Sequence, residues 1–73
     1  MTLGFRIASM RGYRRLNQDQ LGGAVGVSKQ TISNWEHDVS KPNANYIREL
    51  CQVLNCSADY LLGLTDDYRR GGA

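Results

Sequence analysis

The chain has 73 residues, a formal net charge of +2 and 22% charged residues. That length holds one small domain whose modest core supplies about 3–5 kcal/mol of net stability, and it leaves no room for a deep catalytic pocket with its supporting structure. No apolar run approaches the ~20 residues that cross a bilayer, the first residues lack the apolar block of a secretion signal, and so small a charge excess decides nothing about polyanion binding.

A soluble, cytoplasmic protein with no membrane partner is therefore expected. Cys51 and Cys56 have a spacing that matches no usual zinc pattern, and only His37 adds a soft ligand. They read as two small buried hydrophobes in a reducing compartment, with no metal and no cofactor.

Thr2 is placed to cap a first helix. Leu3, Ile7 and Met10 then follow the i, i+4, i+7 spacing of one buried stripe, which Phe5 and Ala8 can widen. Gly12 is a plausible left-handed end, Arg14 and Arg15 lie in the connection, and Leu16 returns to the core. Asn17 with Gln20 forms a capping box for a second helix, whose apolar side is Leu21, Ala24 and Val25. Gly22 and Gly23 cost that helix stability, which suggests that another backbone approaches it closely.

Gly26, Val27 and Ser28 read as turn, buried anchor and new N-cap. The third helix runs to about His37, with Ile32 and Trp35 inward, and Lys29, Gln30, Ser33, Asn34 and His37 on one outward face. A loop ends at Pro42, and Asn43 caps a fourth helix with Ile47, Leu50, Cys51 and Leu54 on its apolar stripe. Asn55 is a left-handed C-cap. Ser57 starts a short fifth helix holding Tyr60, Leu61 and Leu62, and Gly63 closes it. The segment TDDYRRGGA has no periodicity and reads as a frayed tail or linker. The fold class is all-α, with a domain at 1–64 and a tail at 65–73.

With Gln18 as the first position of a helix-turn-helix, the fifth is Gly22, where only a small side chain lets the helices cross. The ninth is Gly26, where the turn needs a positive φ. Leu21, Val25, Val27, Ile32 and Trp35 then occupy the fourth, eighth, tenth, fifteenth and eighteenth positions, all apolar, in the angle between the helices. On these residues the chain resembles the lambda-repressor-like, or Cro/XRE-type, helix-turn-helix family, and looks most like phage repressor N-terminal domains. Arg11, Trp35-Glu36, Pro42 and the ending from Asn55 to Gly63 belong to the same likeness. Gly23 and Asp38 depart from it, Asp38 standing where a glycine is common.

The resemblance implies a compact five-helix lambda-repressor-like domain with helices two and three as the motif. It also implies a structural ion pair between Arg11 and Glu36. The expected function is a transcription regulator, a repressor by preference, that binds double-stranded, near-palindromic operator DNA as a homodimer. A C-terminal dimerisation domain is a possible further part of such a protein.

The outward face of helix three suits the major groove. Glutamine and asparagine amides can meet adenine with two hydrogen bonds, and lysine can donate to guanine. Lys29, Gln30, Ser33 and Asn34 are therefore the expected base contacts. Gln18, Lys41, Asn43, Arg14 and His37 are the expected phosphate contacts, Gln18 because it opens a helix whose N-terminus favours anions. Taken alone, such a face suits a solvated side of an ordinary bundle helix somewhat better, and the motif with the family likeness reverses that preference. Tyr13, Tyr46 and Tyr60 are scattered over different helices and suit a core edge better than base stacking. A protein-interaction adaptor or antitoxin-type module retaining the fold is the alternative. No nucleophile, acid or base stands at a catalytic spacing, so an enzyme is not expected.

Overall fold

The computed structural model describes residues 1–70. Gly71, Gly72 and Ala73, the end of the expected tail, lie outside the described residues. Five helices follow in order: α1 Leu3–Tyr13, α2 Gln18–Val25, α3 Lys29–Glu36, α4 Ala44–Leu54 and α5 Ala58–Leu61. There is no strand among the described residues, and none of their helices is long and apolar enough to cross a membrane.

Every helix starts at a side chain that replaces a missing backbone partner. Thr2, Asn17, Ser28, Asn43 and Ser57 each accept from the amide three residues ahead. Such a cap contributes about 1 kcal/mol. At α2 the exchange is reciprocal: the Gln20 amide donates to Asn17 Oδ1 at 2.7 Å and the Asn17 amide to Gln20 Oε1 at 2.8 Å. Helices α2 and α4 end at left-handed residues, Gly26 at φ 81° and Asn55 at φ 51°.

Helix α3 packs against α2 and α1, α4 backs α2, and α5 closes the bundle against α4 and α1. Ile7, Leu21, Ile32, Leu50, Leu54 and Leu61 meet in the middle with no exposed surface. Cys51 and Cys56 are free and buried, and burial pushes the Cys56 thiol up to about 12. A thiol held that far from ionising is a packing group rather than a nucleophile.

Some expectations change in three dimensions. Helix α1 runs through Gly12 to Tyr13, and the left-handed residue after it is Arg15 at φ 61°. Phe5 and Ala24 are exposed and so do not extend the buried stripes. The close backbone approach is real at Gly22, where an added Cβ would lie 2.6 Å from the Val27 carbonyl oxygen, whereas Gly23 faces open space.

The segment after Leu64 also differs from a frayed end. The Arg6 guanidinium, buried between α1 and α5, donates to the carbonyls of Tyr60 at 3.0 Å and Thr65 at 2.8 Å, and to the Asp66 carboxylate at 2.8 Å. The Ser57 amide donates to the Tyr68 carbonyl at 2.9 Å. Tyr68 rests against Tyr13 and Tyr60. A buried guanidinium must find acceptors, and the segment supplies two of the three, the Thr65 carbonyl and the Asp66 carboxylate, which no hydropathy pattern reveals.

Candidate nucleic-acid interface

Helix α3 is aimed by what lies behind it. Ile32 and Trp35 are buried, and Tyr46 of α4 tilts against the Trp35 ring at 5.3 Å between centroids. The opposite face is thereby fixed outward. Lys29 and Gln30 are exposed, Ser33 and Asn34 half-buried, and His37 exposed at the helix end. This face carries no carboxylate, and the first turn of α3 holds no acid. The helix N-terminus is left positive, which suits an approaching anion.

Two contacts organise the face. Gln30 Nε2 donates to Asn34 Oδ1 at 3.0 Å, one turn apart. His37 Nδ1 donates to the Ser33 carbonyl at 2.8 Å, which leaves its Nε2 without a partner among the described residues. Lys29 forms no ion pair among the described residues.

Behind the start of α2, Arg11 Nε meets Glu36 Oε2 at 2.6 Å and Arg11 Nη2 meets Oε1 at 3.1 Å, a two-toothed pair. The bond to Glu36 raises the Arg11 guanidinium above its ordinary value. The Glu36 side chain is only 4% exposed, so removing Arg11 would leave a buried carboxylate without its cation. Gln18 Nε2 donates to the same carboxylate at 3.0 Å. The Gln18 side chain therefore ties α2 to α3, while the backbone amide of Gln18 lies in the open first turn beyond its Asn17 cap. Arg11, Asn17, Gln18, Asp19 and Lys29 line one hollow at this end of α2.

The remaining expected phosphate contacts are dispersed. Asn43 Oδ1 accepts from the Tyr46 amide at 3.0 Å, which leaves its side-chain NH2 free to donate. Lys41 is exposed in the loop beside Asp38. Arg14 is engaged elsewhere: its Nε donates to the Leu54 carbonyl at 2.7 Å and its Nη2 to the Asn55 carbonyl at 3.0 Å, with the rings of Tyr13 and Tyr68 over it. The C-terminal carbonyls of α4 attract a cation, and this one fills that role.

Sequence reasoning missed Asp38 as a brace. Asp38 has φ 58°, which fits a position where glycine is common. Its carboxylate accepts from the Thr2 hydroxyl at 2.7 Å and from the Gly4 amide at 3.1 Å. The loop after α3 is thus pinned to the start of α1. Gly4 permits the approach, since a Cβ there would meet the carbonyls of Trp35 and Glu36. A glycine in the first turn of a helix was the available signal.

Comparison with known proteins agrees with this geometry. The family model described as helix-turn-helix matches residues 7–61. The chain is 42% identical over 60 residues to the repressor protein C2 of Salmonella phage P22, covering 82% of this chain and 28% of that protein. It is 32% identical over 62 residues to the uncharacterized HTH-type transcriptional regulator YobD of Bacillus subtilis, covering 85% of this chain and 55% of that one. The chain thus spans about half or less of these relatives' lengths. The crystal structure of the P22 c2 repressor protein in complex with synthetic operator 9T superposes with a TM-score of 0.81 at 40% identity, over 85% of this chain and 94% of that one. With the capped α2–turn–α3 unit, the glycine crossing and a family match over most of its length, the chain belongs to the Cro/XRE-type helix-turn-helix family.

Proposed function

We propose that this chain is a sequence-specific double-stranded DNA-binding domain of a transcription regulator, a repressor by preference, which reads a near-palindromic operator as a homodimer with α3 in the major groove. The observation that carries this is the acid-free outward face of α3, held rigid by the buried Ile32 and Trp35 behind it. Lys29, Gln30, Ser33 and Asn34 make the base contacts. The backbone amide of Gln18, with Lys41, Asn43 and His37, positions the duplex through its phosphates. Arg14 contributes only through Nη1, the guanidinium nitrogen that its carbonyl bonds leave over. The likeness to a repressor bound to an operator supports the same partner. Such a protein works in the cytoplasm, and no chemical step is assigned to it.

Titration of labelled duplexes at several salt concentrations tests this. Gln30→Ala is expected to relax preference at one base pair. Lys41→Ala is expected to weaken all sequences alike and to flatten the salt slope by about one phosphate contact. Unchanged binding by both variants would contradict the placement of α3.

A further inference from the structure

Gln30 and Asn34 are joined side chain to side chain on the outward face of α3. Their bond, Gln30 Nε2 to Asn34 Oδ1 at 3.0 Å, divides the donors and acceptors of two amides that would otherwise be interchangeable. Asn34 uses its oxygen on Gln30 and keeps its NH2, a donor group. Gln30 keeps its Oε1 and one remaining N–H side by side. An oxygen beside an N–H matches the major-groove edge of adenine, which offers the N6 amino group and N7. An NH2 alone matches an edge with acceptors only, and guanine presents two, N7 and O6. Adenine in that second place would set its amino group against the Asn34 NH2.

Gln30 and Asn34 stand one turn apart on the same helical face and are joined amide to amide, so the pair addresses neighbouring base pairs rather than distant ones. Neither side chain takes another side-chain partner among the described residues, so nothing competes for the free edges. Resting on the duplex-reading role proposed above, we infer that Gln30 and Asn34 together recognise an adenine beside a guanine, with Asn34 acting as the positioning residue for the adenine contact of Gln30.

The inference separates two roles of Asn34. Asn34→Ala frees the Gln30 amide to rotate, so adenine discrimination falls although Asn34 does not touch that base. Asn34→Asp keeps an oxygen to accept from Gln30 and loses the NH2. Adenine discrimination then persists while guanine discrimination is lost, whatever the overall weakening from the added negative charge.

The test starts from the duplex that the wild-type chain selects from a random pool, with every base pair of one half-site then changed singly. Relative affinities are measured for the wild type, Gln30→Ala, Asn34→Ala, Asn34→Asp and the double alanine variant. Both side chains lie outside the core, and thermal melts check that each variant stays folded. Gln30→Ala is expected to lose on the order of tenfold discrimination at one A·T pair. Asn34→Ala should lose several-fold at the same pair and at the G·C pair beside it, Asn34→Asp only at the G·C pair, and the double variant no more at the A·T pair than Gln30→Ala. Independent effects, with Asn34→Ala leaving the A·T pair within twofold of wild type, would overturn the paired reading while leaving the DNA-binding role intact. A wild-type chain that selects no sequence would overturn both.

Discussion

The backbone amide of Val27 donates to the carbonyl of Gly22 at 2.8 Å, and the Val27 carbonyl oxygen lies 2.6 Å from where a side chain on Gly22 would begin. This one pair sets the crossing of α2 and α3, and through it the direction in which the outward face of α3 points.

Neighbouring glycines in α2 should therefore respond oppositely to the same change. Gly22→Ala puts a Cβ 2.6 Å from backbone that cannot swing aside, and is expected to cost about 1–3 kcal/mol. Gly23→Ala meets nothing within 4 Å and should gain up to about 1 kcal/mol from helix propensity. Thermal melts of the two variants check this. Equal shifts of the same sign would contradict the close approach.

The Asp38 brace should make stability fall in acid. The Thr2 hydroxyl, then the Gly4 amide and the charges of Lys41 and His37, hold the Asp38 carboxyl below its ordinary value of 3.8. Because the folded group binds its proton less readily than the unfolded one, the stabilisation is complete above the unfolded value and is lost as pH falls through the folded one. Asp38→Asn keeps a residue that tolerates positive φ and removes the charge. It should melt below wild type at neutral pH, and the gap should close on acidification below about pH 4. A gap independent of pH would show that the charge does not stabilise the brace.

Cutting the chain after Leu64 should destabilise the bundle. The Asp66 side chain is 95% exposed, so its ion pair adds little. The Thr65 carbonyl on the buried Arg6 and the Tyr68 carbonyl on the Ser57 amide matter more. Their loss is expected to cost about 1–2 kcal/mol, read as a lower melting temperature of residues 1–64 against the full chain. Identical melts would show that the segment only rests on the surface.

These contacts mark the boundary of what the sequence disclosed. The caps at Thr2, Asn17, Ser28, Asn43 and Ser57 were legible because each acts within three residues of itself. The turn at Gly26 and the alternation of buried and outward residues on α3 were legible for the same local reason. Asp38 reaches Thr2 across 36 residues and Arg6 reaches Asp66 across 60. Such bonds join polar groups from distant segments and leave no period in the sequence. Gly23 misled because a glycine looks alike whether a backbone approaches it or not. Arg14 has a structural role that its position in the sequence did not show, because the carbonyls at the end of α4 attract a cation as a phosphate would. The proposed base and phosphate contacts depend on a partner, so the protein alone presents only the chemistry that would make them.

The most direct test is selection of bound duplexes from a random-sequence pool, carried out with the full chain at two salt concentrations. An inverted repeat with half-sites about one helical turn (~34 Å) apart, still enriched at the higher salt, is the expected result. Binding that disappears with salt and enriches no sequence would contradict a sequence-reading α3 and bring forward the protein-interaction adaptor.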